Sequence, residues 1–174
     1  MTALNNTPDN KNFLSPLNFK FQIKKAPHVN FFIQKVNIPN IVLASPVYPN
    51  PMVKIPIPGE HIDYGKFEIS WKVDEDLTNY LEIHNWIKAL GKPEDFEGRR
   101  EITEKPIYSG EGITSEISLA VLSSNKTPNY EIVIHDAHPV SLSSIVFDTT
   151  SETVNYVTAS AEFRYTYYDI QRST

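Results

Sequence analysis

The sequence predicts a mainly β domain flanked by one α-helix. Three observations carry this: period-two alternation in several segments, one short amphipathic pattern with its own start and stop signals, and prolines crowded between segments. The first dozen residues, MTALNNTPDNKN, are polar and are expected to be flexible on their own, which leaves residues 13–174 as a single domain.

The first strand is read at Phe19, Phe21 and Ile23, which alternate with Lys20, Gln22 and Lys24. After the Ala26-Pro27 break, VNFFIQKVNI reads as a second strand, and the two read as a hairpin. Seven prolines lie from residue 27 to residue 58, at 27, 39, 46, 49, 51, 56 and 58. Proline removes a ladder donor and fixes φ, so residues 39–58 are expected to form an extended arm or long loop rather than part of the sheet.

Residues 64–91 hold the clearest signals. Phe67, Ile69, Trp71 and Val73 alternate with Lys66, Glu68, Ser70 and Lys72, as in a strand with one buried face. Asp74, Glu75 and Asp76 come next. Carboxylates there can accept hydrogen bonds from the free N–H groups of a first helical turn and offset its dipole, so Asp74 and Asp76 are candidate helix caps. A helix is expected over residues 76–90, with Leu77, Tyr80, Leu81, Ile83, Trp86, Ile87 and Leu90 at three- and four-residue spacing, ending at Gly91 before Pro93.

Residues 92–112 are charged and glycine-bearing with little periodicity, and read as a second long loop. Strand patterns return at SEISLAVLS and YEIVIHD, separated by the turn SNKTP. Another strand is expected near residues 140–147. A long one over residues 153–169 should place Val157, Ala159, Ala161, Phe163, Tyr165 and Tyr167 on one face.

The chain has 174 residues, no cysteine and a net charge of -5. Its size suits one domain with a real core, and the missing thiols exclude disulfides, thiolate metal sites and cysteine nucleophiles. An acidic chain is poorly suited to gripping phosphates. No apolar run reaches the roughly 18 residues of a spanning helix, and the start lacks the basic and apolar segments of a signal peptide, so synthesis and use in a cytoplasm are expected without membrane insertion. Catalytic patterns are missing too. His135 and His138 flank a strand end without a completing ligand set, the acidic triplet reads as a cap before it reads as a magnesium site or acid-base pair, and the glycines form no phosphate loop. No enzyme activity, metal or cofactor is expected. Arg164 with Tyr165, Tyr167 and Tyr168 could stack on bases, but a tyrosine-rich terminal strand more often serves packing.

The succession of NFKFQI, FFIQKVNIP, an arm reaching IPIPGE, the unit YGKFEISWKVDEDLTNYLEIHNWIKAL, the His138-Pro139 segment and the closing ASAEFRYTYYDI resembles the tail tube proteins of contractile-tailed bacteriophages. Related elements occur in baseplate proteins that initiate the tube and in tube-like secretion proteins.

This resemblance implies a β-sandwich or half-barrel with a flanking helix, six copies of which join edge to edge so that inner strands close a multi-chain β-barrel. Stacked hexameric rings then form the tube, in contact with tail sheath, baseplate and terminator proteins, and DNA meets the chain only in transit. The location implied is the virion tail, assembled in the host bacterial cytoplasm. Lys66, Glu68, Ser70 and Lys72, with Thr158, Ser160, Glu162, Arg164 and Thr166, become candidates for the lumen face. Ile41, Val42, Leu43, Val47, Tyr48, Met52 and Val53 become candidates for an arm that docks on a neighbouring subunit. A baseplate initiator or terminator of the same fold is the alternative, and a carbohydrate-binding or hydrolytic sandwich module is the reading from another class.

Overall fold

The computed structural model describes residues 12–91, 97, 100, 112–150 and 155–173. The expectations for residues 1–11, for most of the 92–112 loop and for residues 153–154 lie outside the described residues. One strand organises the rest. β9 (Pro128–Leu142) is 15 residues long, beyond the usual 3–10 of a globular strand.

β9 is shared between two half-sheets. Its first half pairs with β8 (Ser115–Leu122) on one side and β11 (Tyr167–Arg172) on the other, and β1 (Phe19–Ile23) adds to β8. Its second half pairs with β10 (Thr158–Arg164), which pairs with β7 (Phe67–Lys72), which pairs with β2 (Ile33–Val36). All these pairings are antiparallel. The handover falls at Asp136, whose φ of 57 lies in the left-handed region. That residue and a register shift opposite Glu162 and Phe163 bend the strand, as bulges do, and turn the second half-sheet over the first.

The core lies in the fold so formed. Phe21, Ile23, Ile117, Leu119, Ile132 and Ile134 are buried from one half-sheet, and Phe67, Ile69, Trp71, Ala159, Ala161 and Phe163 from the other. Phe21 stacks on Phe67 across the gap, with ring centroids 6.3 Å apart. Ala159 and Ala161 stand opposite Trp71 and Ile69 on the β10–β7 ladder. Small residues there leave room for the large ones, which close packing of a mixed-size face requires.

Among the described residues α1 and α2 pack on the fold, and the first was not expected. α1 (Pro27–Phe32) opens with Pro27 in its first turn, where a missing N–H costs nothing, and buries Val29. α2 (Thr78–Gly91) buries Ile83 and sets Trp86 against Phe163, at 6.0 Å between centroids, while Trp86 Nε1 donates to the Ile113 carbonyl at 3.0 Å. His28 links the helices through Nδ1 to Glu82 Oε1 at 2.6 Å, and that hydrogen bond and charge raise its pKa above the ordinary histidine value.

Several local readings need correction. β1 and β2 form no hairpin, because VNFF is helical and delivers β2 to β7 while β1 goes to β8. The strand bearing His135 and His138 does not stop at Pro139. It runs through to Leu142 with Pro139 buried opposite Phe163, and no strand is formed over residues 143–147. The long terminal strand is broken at Tyr165 and Thr166, which flips the alternation, so Tyr168 packs against the core and Tyr167 is exposed.

The start of α2 is also built differently from a simple cap. Leu77 has a φ of 56 and precedes the helix. The buried Asn79 and Asp74 bond reciprocally: Asn79 N–H donates to Asp74 Oδ1 at 3.3 Å, and Asp74 N–H donates to Asn79 Oδ1 at 3.5 Å. Asn79 Nδ2 donates to the Lys72 carbonyl at 2.9 Å, which ties the helix start to β7. Asp76 is exposed in the turn. Asp74→Ala should therefore cost about 0.5–2 kcal/mol and Asn79→Ala about 1–3 kcal/mol, with Asp76→Ala within about 0.5 kcal/mol of the parent. Urea unfolding of the three variants checks this ranking.

Candidate functional site

Two hollows lined by described residues are mainly apolar. Among the described residues no three His, Asp or Glu side chains come together as a metal site. His135 stacks on Tyr167 at 4.6 Å and lies 3.5 Å from Asp169 and 3.8 Å from Glu116, while His138 stands opposite Arg164 on another stretch of ladder. The remaining features are surfaces: an arm, two strand edges and a polar sheet face.

The arm is a ribbon of the chain's own making. β3 (Ile41–Leu43) pairs with β6 (Ile62–Tyr64), and β4 (Val47–Tyr48) pairs with β5 (Ile55–Pro56). Proline therefore does not prevent pairing here. The Pro46 carbonyl accepts from the Ile57 N–H at 2.9 Å, and the Ile57 carbonyl, which a proline cannot reach with an N–H, accepts instead from the Ser45 hydroxyl at 3.1 Å. Backbone bonds from Ala44 to His61, Gly59 to Ala44 and Ile57 to Pro46 join the two pairs. At Gly59 an added Cβ would lie 2.2 Å from the Ala44 carbonyl oxygen, so glycine permits this close approach.

Three tyrosines hold the root. Tyr64, Tyr165 and Tyr168 meet at 5.6–6.2 Å between centroids, and the Tyr168 hydroxyl donates to the Pro39 carbonyl at 3.1 Å. Gly65 N–H donates to the Asn40 carbonyl at 2.9 Å, so both strands of the ribbon are pinned where they leave the domain. Beyond the root every apolar side chain of the expected arm is exposed, up to Met52 at 90%.

The second half-sheet has two outer edges. β2 at one end and the second half of β9 at the other have no further strand partner among the described residues. Between them runs the polar face. Thr158 stands opposite Lys72, Ser160 opposite Ser70 and Glu162 opposite Glu68, and Lys66 Nζ pairs with Glu162 Oε2 at 2.6 Å. Arg164 extends this row toward His138, and Lys35, which the sequence reading omitted, enters it opposite Ser70. Lys72 also lies over the Tyr156 ring at 4.1 Å. Thr166 is separated from the row by the break after β10, where its hydroxyl meets Asp136 at 3.3 Å. The row thus has four cations against two carboxylates, on a chain whose net charge is -5.

No protein-family model matches this chain, and no curated protein matches it. Solved structures do. The cap that terminates the tube of the anti-feeding prophage superposes with a TM-score of 0.62 at 13% identity, covering 99% of this chain and 100% of that one. The sheath/tube terminator of an extracellular contractile injection system, PVC, gives 0.60 at 15% identity, covering 93% and 99%. The sheath-tube complex of the same system gives 0.59 at 13% identity, covering 94% of each chain. This is the tail-tube fold. Its counterparts here are tube, terminator and cap proteins, structural parts rather than enzymes.

In the tail-tube fold of this chain, the sequence-predicted residues separate into two places. Lys66, Glu68, Ser70, Lys72, Thr158, Ser160, Glu162 and Arg164 share one face, and Ile41, Val42, Leu43, Val47, Tyr48, Met52 and Val53 share one ribbon. Asp74 and Asp76 belong to the helix turn. Sequence reasoning missed Lys35, whose alternation with Ile33 is disturbed by a bulge, and the tyrosine root, whose members are far apart in the chain.

The root yields a pH test. Tyr165 Oη is buried with no hydrogen-bond partner among the described residues, and burial, reinforced by Tyr168 and Tyr64, pushes its pKa up to about 12. An unfolded tyrosine ionises near 10, roughly, so this contribution to stability is whole below that value and is lost as the pH rises to the folded value. Tyr165→Phe should match or exceed the parent at neutral pH, since it removes an unpaired hydroxyl, and should lose less stability in the alkaline window. Denaturant titrations across that window check both arms.

Proposed function

We propose that this chain is a structural subunit of the tube of a contractile tail-like particle, assembling with copies of itself into stacked rings. The observation that carries this reading is the four-stranded half-sheet β2-β7-β10-β9, which ends in a strand edge on each side. An uncovered edge invites pairing, and closure of a ring is the arrangement that removes edges altogether. Because β2 and β9 are different edges, their pairing is head-to-tail and generates a ring when the rotation closes. Six copies per ring follow from the tail-tube resemblance.

On this reading the polar row faces the channel, and the apolar arm reaches beyond its own ring. Sheath, baseplate and terminator proteins are the expected further partners, the location is the tail of a particle assembled in a bacterial cytoplasm, and DNA in transit is the passenger of a phage tail. A ring at one end of the tube is the second reading, supported by the end-to-end likeness to the tube-terminating cap.

Negative-stain microscopy of the purified chain tests the function. Long hollow fibres are expected for a tube subunit and one or two stacked rings for an end protein; a chain that stays monomeric as concentration rises overturns both. In assembled tubes, a cysteine placed at Glu68 or Glu162 should be closed to a large thiol reagent added outside. Free labelling there would move the polar row to the outer wall.

A further inference from the structure

We propose that the outer edge of β11 is a strand-addition site for an extended, basic segment of a partner protein. The ring reading uses the edges of β2 and of the second half of β9, so β11 is a further edge that it leaves open. The Ser173 N–H donates to the Asn129 carbonyl at 3.0 Å, which makes these two residues a hydrogen-bonded pair. Antiparallel pairs alternate between bonded and non-bonded, so on this register Gln171 and Asp169 bond to β9 at Glu131 and Val133. The N–H and carbonyl groups of Ile170 and Arg172 then face away from the sheet, and among the described residues no hydrogen bond reaches them. At Tyr168 the edge meets the arm root, where the hydroxyl bonds the Pro39 carbonyl.

The opposite edge of the same half-sheet is treated differently. Ile23 of β1 also points its main chain outward, and Asn30 closes it: Asn30 Oδ1 accepts from the Ile23 N–H at 2.8 Å, and Asn30 Nδ2 donates to the Ile23 carbonyl at 3.0 Å. A side-chain amide there stands in for the next strand. β11, with the sequence YYDIQR, has neither the proline nor the lysine by which edges are commonly kept from pairing.

An added strand would meet different surroundings on its two faces. On the core-facing side Ile170 stands opposite the buried Ile132 but is itself 58% exposed. It borders an apolar hollow of about 360 Å³ shared with Ile38, Val121 and Tyr130, and Arg172 stands at the end of the strand on this side. On the other side Asp169 is exposed, Gln171 stands opposite Glu131, and Glu116 lies across His135. Lys24 on that side is already engaged by Glu116 at 3.1 Å. In strand addition the main-chain bonds supply affinity and the surroundings of alternate side chains supply specificity. The segment that fits therefore alternates, with an apolar residue over the hollow and a lysine or arginine beside Asp169.

A blocked peptide of about seven residues, alternating lysine with valine, is the probe, added to the unassembled full chain and followed by NMR-detected hydrogen exchange. The amides of Ile170 and Arg172 should exchange fast in the chain alone and slow by about tenfold or more with the peptide. Methylating one alternate set of peptide amide nitrogens should abolish this, while methylating the other set is tolerated. A peptide with glutamate in place of lysine should bind about tenfold more weakly, and Asp169→Lys should reverse that preference. Ile170→Pro, which removes a donor the fold itself does not use, should weaken binding of the basic peptide by about tenfold. Should that variant unfold, the methylated peptides put the same question to the parent chain. Protection of the two amides without peptide, at every concentration or only as concentration rises, places this chain's own residues or a second copy on the edge and overturns the proposal. Exchange that the peptide leaves unchanged, or binding that ignores methylation or Asp169→Lys, overturns it too.

Discussion

The bend in β9 is the constraint on which the molecule depends. A single long strand belongs to two half-sheets, and the left-handed Asp136 lets it turn from one to the other without breaking. The consequence is a core closed between Phe21 and Phe67 and plugged by Trp86, but also a second half-sheet whose outer face and both ends lie outside that core. Stability is met within the chain, by burial of aromatic and branched residues. Among the described residues edge satisfaction is not, and on the proposed ring reading this division separates what the fold needs from what assembly would use.

The arm follows the same logic at smaller scale. Its backbone is satisfied internally by ribbon hydrogen bonds, and its root is fixed by Tyr64, Tyr165 and Tyr168. Its side chains are left open. A preformed ribbon gives up less conformational freedom on docking than a floppy loop would, so more of the apolar burial remains as association energy. On the proposed ring reading, packing of the tyrosines bears on assembly, because it fixes the root from which the ribbon leaves the domain.

Legibility in the sequence tracked how local each signal was. β7 and most of α2 could be read from residue order because alternation, an acidic turn and a closing glycine all lie within one window. The partnering of β1 and β2 could not, since pairing is decided by distant strands, and the helical turn at Pro27–Phe32 is too short to show a period. Pro139 misled because a buried proline is tolerated at the bulged stretch of β9. Tyr167 and Tyr168 exchanged faces at a break that no residue type announces. The polar row was legible as alternation, but its excess of cations was not, because the chain as a whole is acidic and Lys35 joins the row from a separate strand.

The central claim is that copies join through β2 of one and the second half of β9 of the next. A chain carrying Lys35→Cys and Ser141→Cys has one thiol on each of these edges, both beside the polar row. Joined by a short bis-maleimide after assembly, it should give an interchain ladder on a denaturing gel that ends at the size of one closed ring. Rings or tubes visible by microscopy with no interchain product would contradict the claim.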